Sequence, residues 1–180
     1  MKKPITEEIE IPQGVSCHYD GSILSCKKDS IETKRKIELP NVIISVKDSK
    51  IVFSSTRSNK KDRNAIISFI QHIKNMFLGL EKKFTYKLEA CNVHFPMTLK
   101  VEGNKLAINN FLGEKTPRFA EIIPEVEVQI KGNIITLSSH DKEAAGQTAG
   151  NFEKATKVRN RDRRIFQDGI YIVEKAEEKR

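Results

Sequence analysis

Val42, Ile44 and Val46 alternate with Ile43, Ser45 and Lys47, the two-residue period of a strand with one face better buried than the other. The polar stretch Lys47 to Lys50 then leads into Ile51-Val52-Phe53, so the pair predicts a β-hairpin. A second hairpin is written the same way: Val126, Val128 and Ile130, a break at Lys131-Gly132-Asn133, then Ile134 to Leu137. Gly132 and Asn133 suit a tight turn that demands positive φ. Behind each hairpin the period changes to that of a helix. Ile66, Phe69, Ile70, Ile73, Phe77 and Leu80 form one apolar stripe, and Phe69, Ile70, Ile73 and Phe77 are expected to be buried. Gly79 stands where a left-handed residue would close that helix. The second stripe is Ala145, Thr148, Ala149, Phe152 and Ala155, small side chains that let a helix lie close to a sheet, with Phe152 alone contributing large area. Ser139 or Asp141 can cap this helix, with Glu143 in its first turn.

The two hairpins are copies. Residues 40–55 and 124–139 align at a constant offset of 84, pairing Pro40 with Pro124, Ile44 with Val128 and Phe53 with Leu137. Upstream, Asp20-Gly21 and Leu24 match Glu102-Gly103 and Leu106 at an offset of 82. A period this long means tandem domains rather than a solenoid. The expected architecture is α+β: two tandem duplicated domains, each an antiparallel sheet with one helix packed on a face. The boundaries fall at residues 1–82 and 83–180, with the linkage near Glu81 to Thr85. Pro40 should superpose on Pro124 and Phe53 on Leu137.

Charge changes this picture by pointing to a partner. The chain has 180 residues, 32 cationic and 24 anionic side chains, and a net charge of +8, an excess that favours a polyanion. Six cations (Lys154, Lys157, Arg159, Arg161, Arg163 and Arg164) lie within eleven residues against a single Asp162. One reading makes this run a solvated helix end, where cations are favoured. The other makes it an extended phosphate-binding arm, because the spacing 157, 159, 161, 163 alternates and a guanidinium fork matches phosphate oxygens. A second polar cluster runs from Asn109 to Arg118. Gly113 and Pro117 mark it as a loop between strands, with Lys115 and Arg118 at its tip.

Other chemistry is not written in the chain. It has no phosphate-binding glycine loop, nucleophile elbow or paired metal-ligand motif. Gly146-Gln147-Thr148-Ala149-Gly150 is glycine-spaced but mid-helix, which reads as close packing. Neither Cys17, His18 and Cys26 nor Cys91 with His94 has the spacing of a zinc site, and no cysteine is marked as activated, so no metal, cofactor or catalysis is expected. His72 reads as exposed on the polar side of the first helix. The longest apolar run, Ile170 to Val173, is four residues, and the N-terminus has no apolar signal-like stretch. With three sparse cysteines, a soluble cytoplasmic protein is expected.

Five stretches carry a family resemblance: His94-Phe95-Pro96-Met97 leading to Val101-Glu102-Gly103; Asn110 to Lys115 with Pro117-Arg118; Phe166-Gln167-Asp168-Gly169-Ile170-Tyr171; Asn75 to Gly79; and Glu143 to Ala149. Together they closely resemble ribosomal protein six of the large subunit, in its archaeal and eukaryotic form. The resemblance covers essentially the whole chain. It implies two duplicated α+β domains, no catalysis, and a structural role in the ribosome. It also implies binding of large-subunit rRNA mainly through the C-terminal domain, close to the sarcin–ricin loop and the base of the factor-binding stalk, among neighbouring large-subunit proteins. Carried onto this chain, the RNA-facing residues are Lys115, Arg118, Lys154, Lys157, Arg159, Arg161, Arg163 and Arg164. The Lys-Gly-Lys-Gly segment of the bacterial form is replaced here by Arg159 to Arg164. A eukaryote-type basic insertion in the first domain is absent, which points to an archaeal source. A free-standing RNA-binding module on the same fold would share the basic face, and co-sedimentation with the large subunit separates the two.

Overall fold

The computed structural model describes residues 3–37, 39, 42–47 and 49–176. The chain divides into two compact units, Met1–Lys82 and Lys83–Arg180. Unit 1 contains β1 (Lys3–Glu10), β2 (Ser16–Tyr19), β3 (Ile23–Lys28), β4 (Ile31–Lys36), β5 (Ile43–Lys47), β6 (Lys50–Ser58) and helix α1 (Lys60–Glu81). Unit 2 contains β7 (Phe84–Cys91), β8 (Thr98–Glu102), β9 (Lys105–Asn109), β10 (Arg118–Glu121), β11 (Glu127–Lys131), β12 (Ile134–Ser139), helix α2 (Lys142–Ala155) and β13 (Gly169–Glu174).

The strand orders repeat. Unit 1 has sheets β1-β6-β5 and β2-β3-β4, and unit 2 has β7-β12-β11 and β8-β9-β10, all antiparallel. Register repeats as well: Ile44 faces Phe53 and Val46 faces Ile51, just as Val128 faces Leu137 and Ile130 faces Ile135, each pair displaced by 84 residues. In the upstream sheets Cys17 faces Cys26 as Leu99 faces Ile108, displaced by 82. Pro40 lies outside the described residues, so its match to Pro124 is not seen. Two features depart from the expected plan. Each unit has two sheets, not one, because the segments before the hairpin form three strands of their own. In unit 2 a further strand, β13, pairs with the outer side of β7.

Each helix packs on both sheets of its unit: α1 meets β1 and β6 of one and β3 and β4 of the other, and α2 meets β7, β12 and β13 of one and β10 of the other. Helix α1 starts at Asn59, whose side chain accepts from the Asp62 N–H while Asp62 accepts from the Asn59 N–H, a reciprocal cap. Its buried stripe is Ile66, Ile73, Met76, Phe77 and Leu80; Phe69 and Ile70 flank this stripe and are only partly buried. Gly79 does not close the helix. It is buried inside the last turn, and Lys82, in extended geometry, ends it. His72 is half-buried, edge-on to the Phe69 ring. At the second hairpin only Gly132 takes positive φ, at 60°.

In unit 2, Asp141 caps α2 by accepting from the Glu143 N–H, and Ser139 Oγ in turn accepts from the Asp141 N–H. Small residues bring α2 onto β7, whose alternation buries Phe84, Tyr86, Leu88 and Ala90. A Cβ at Gly146 would stand 3.1 Å from the Tyr86 hydroxyl, so that glycine is a packing residue. Gly150 is different: nothing lies within 4 Å of where its Cβ would be. Phe152 is 0% exposed in the same core.

Phe152→Ala should cost about 3–5 kcal/mol, because its neighbours on the stripe are Ala and Thr and cannot refill the space. Denaturant titration giving a loss below about 1 kcal/mol would contradict this packing. The glycines make a second, paired test. Gly150→Ala should stabilise by about 0.5–1 kcal/mol through helix propensity, whereas Gly146→Ala should forfeit that gain against the buried Tyr86. Equal effects of the two substitutions would count against the close approach of α2 to β7.

Candidate nucleic-acid interface

Three loops of unit 2 meet to form one surface: the β7–β8 loop (92–97), the β9–β10 loop (110–117) and the segment joining α2 to β13 (156–168). Asp168, 1% exposed, ties the first to the third. Its Oδ1 accepts from the Val93 and His94 N–H groups at 2.9 Å each, and its Oδ2 is 2.6 Å from His94 Nδ1. Burial pushes the Asp168 carboxyl upward, but the hydrogen bonds from His94 and Val93 together outweigh it and hold it below the usual carboxylate range. The contact therefore stabilises fully above the unfolded aspartate's pKa of about 3.9, and that stability is lost as pH falls through the lower native value. The His94 ring stacks on Phe166 at 4.8 Å, and the Arg161 guanidinium lies 4.7 Å from the centre of the same Phe166 ring.

The second loop is fixed by Phe111, which is pulled into the core. Around it Asn110 and Leu112 both sit at left-handed φ, 59° and 50°. For a leucine that costs about 1–2 kcal/mol, which the burial of Phe111 offsets. Asn110 Nδ2 donates to the Pro96 carbonyl at 3.0 Å, joining this loop to the first.

Arg118 does not sit at the loop tip. It opens β10, and its guanidinium donates to both Glu114 carboxylate oxygens (2.7 and 2.5 Å) and to the Ala155 carbonyl at the end of α2 (2.9 Å). It also lies 4.3 Å from the centre of the Phe111 ring. The hydrogen bond from Arg118 holds the Glu114 carboxyl below its ordinary range, with Arg161 adding a smaller electrostatic pull. Arg118 is thus a strut between the loop and the helix end. Lys115, in contrast, is exposed.

The basic segment is not extended. Beyond α2 the chain has no strand until Gly169. Asn160 is left-handed (φ 55°), and Asp162 closes a turn by accepting from the Arg164 N–H with its side chain and from the Ile165 and Phe166 N–H groups with its carbonyl. That Asx-type turn breaks the alternation that reads as a strand in the sequence. Lys154 does lie in the last turn of α2, as a helix-end cation. The other five lie past the helix, where that explanation ends. Lys154, Lys157, Arg159, Arg161, Arg163 and Arg164 are all exposed, and none forms a salt bridge among the described residues. Lys154, Lys157, Arg163 and Tyr171 line one open groove beside α2. Val158 is buried and roots the segment, and Thr156 Oγ1 accepts from the Ile170 N–H at 2.9 Å, fixing the start of β13.

The sequence residues therefore fall into two sets: seven exposed cations and one structural arginine. Phe95, Phe166 and Asp168 were visible only as words of the family resemblance, and His94 otherwise only as a rejected metal-ligand candidate; Asp168 meets Val93 and His94 across 75 and 74 residues. Elsewhere, Cys17 and Cys26 face each other across β2 and β3, with Cys26 in the core of unit 1, and no cluster of metal-ligating side chains occurs among the described residues.

The fold and its surface define a duplicated α+β protein that exposes unpaired cations on its second copy, and comparison with known proteins gives the family. Residues 95–169 match the model of ribosomal protein L6. The chain is 42% identical over 176 residues to the large ribosomal subunit protein uL6 of Methanosarcina mazei, covering 98% of this chain and all of that one. It is 45% identical over 172 residues to the uL6 of Methanococcus vannielii, covering 96% and 94%. The chain belongs to the uL6 family of large-subunit ribosomal proteins, a structural and non-enzymatic family, and both relatives are of the archaeal form.

Replacing Arg118 by Gln should destabilise unit 2 by about 1.5–3 kcal/mol, the range for hydrogen bonds to a charged group, whereas Lys115→Gln should stay within about 0.5 kcal/mol. Thermal unfolding of both variants checks this, and equal effects would reject the strut. Asp168→Ala orphans two backbone donors and should cost about 1–3 kcal/mol for each that water cannot reach.

Proposed function

We propose that this chain is a structural constituent of the large ribosomal subunit in the cytoplasm, and that it holds large-subunit rRNA through unit 2. The observation that carries this reading is the set of exposed, unpaired cations at Lys115, Lys154, Lys157, Arg159, Arg161, Arg163 and Arg164 on a family member's rigid second domain. A polyanion supplies the counter-charges that the fold does not, and rooted loops present them without a large ordering cost. Arg118 supports this surface from behind. The site proposed on the rRNA is the sarcin–ricin region beside the base of the factor-binding stalk, with neighbouring large-subunit proteins as further partners.

On a sucrose gradient the protein should track the large subunit at one copy; sedimentation in the light fractions would instead identify a free-standing RNA-binding module. The basic segment has its own test. Replacing Arg161, Arg163 and Arg164 together by Gln should weaken binding to an rRNA fragment containing the sarcin–ricin region and lower the slope of log K against log salt by about 2–3. Folding should barely change, since exposed cations contribute about 0–1 kcal/mol each. An unchanged slope would exclude these arginines as phosphate contacts.

A further inference from the structure

We propose that Phe95 is a stacking platform for one unpaired RNA nucleobase, a subsite that rests on the rRNA-binding reading of unit 2. Phe95 is 47% exposed although its loop is braced on both sides. One face of its ring is already taken. The position a Cβ would occupy on Gly113 is 3.5, 3.6 and 3.7 Å from the three distal ring carbons. Such near-equal distances arise only when Gly113 lies under the face of the ring; an approach at its edge would separate them by most of an ångström. Gly113 has φ 77°, so the loop backbone passes beneath the ring in a conformation other residues resist. With that side against the loop, the ring still keeps 47% of its surface exposed for a ligand.

The loop carrying this ring is fixed on both sides. Asp168 holds the Val93 and His94 N–H groups, and Asn110 holds the Pro96 carbonyl. The ring is thus oriented before any ligand arrives, so little conformational entropy is lost on stacking. Its surroundings are cationic: Lys115 follows two residues after Gly113, and Arg161 caps Phe166, which stacks on the neighbouring His94. A flat apolar face among unpaired cations matches a base with its phosphates better than an apolar protein side chain, which would leave those charges uncompensated. Bases within a duplex are already stacked, so the occupant is an unpaired one.

Stacking and phosphate contact have different salt signatures, because a stacked base releases no condensed counterions. In titrations of the full chain with the sarcin–ricin rRNA fragment, Phe95→Leu, which keeps apolar bulk but removes the flat ring, should weaken binding by about 5- to 150-fold at every salt concentration, with the slope unchanged. Phe95→Tyr should bind within about twofold of the parent protein. Ultraviolet cross-linking should attach a nucleotide to Phe95 in the tryptic peptide spanning residues 88–100 of the parent protein. An unaltered affinity for Phe95→Leu overturns the proposal, as does a loss accompanied by a flatter slope or a lower melting temperature. If the arginine triple variant flattens the slope while Phe95→Leu is neutral, only the stacking subsite falls. If the parent protein does not bind the fragment, the reading of unit 2 falls with it.

Discussion

Placing the Asp168 carboxylate where water cannot reach it carries a desolvation cost that its three donors, two backbone N–H groups and the His94 ring, must offset. Satisfying it therefore forces residues 93–94 against residue 168. Much follows from that constraint. His94 is carried onto Phe166, Phe166 receives Arg161, and the chain is aimed from Gly169 into its pairing with β7. Thr156 adds a second buried polar tie at Ile170. The cationic segment is held between these two anchors.

The comparison of the two copies shows where they differ. Both units keep the same strand orders and hairpin register. Unit 1 has a 22-residue helix with large aliphatic and aromatic contacts, whereas unit 2 has a 14-residue helix of small residues drawn close to β7. Shortening the helix leaves a connecting segment that unit 1 lacks, and β13 returns that segment to the sheet. A duplicated fold thus carries an exposed cationic segment without altering its core layering.

Charge alone does not say which cations are available to a partner. Arg118 and Arg161 are both arginines near Glu114 and both lie over an aromatic ring, yet Arg118 spends its donors on Glu114 and Ala155 while Arg161 forms no ion pair among the described residues. A guanidinium whose forked donors are engaged inside the protein braces the surface, and one whose donors face solvent can meet a phosphate. The distinction is geometric, and residue type does not report it.

Strands β5, β6, β11 and β12, both helices and the duplication were readable because their signals are local: apolar period, turn residues, caps and a constant offset. The exposed cations of the candidate site were readable as a charge cluster, and the family as a set of short words. Local pattern misled where two local preferences competed. Alternating arginines suggested an extended arm, but Asp162 closes a turn there, and Gly79 resembled a helix stop although close packing buries it. What no local signal encodes is pairing across long separations: β13 on β7, Asp168 with Val93 and His94, Phe95 over Gly113, Arg118 with Ala155. Sequence by itself therefore determined the repeated scaffold, its hairpins and helices, and the partner's sign of charge. Tertiary structure alone decided which charges remain unpaired and how Phe95 is held while staying exposed, because both depend on donors and surfaces brought together only when the chain closes on itself.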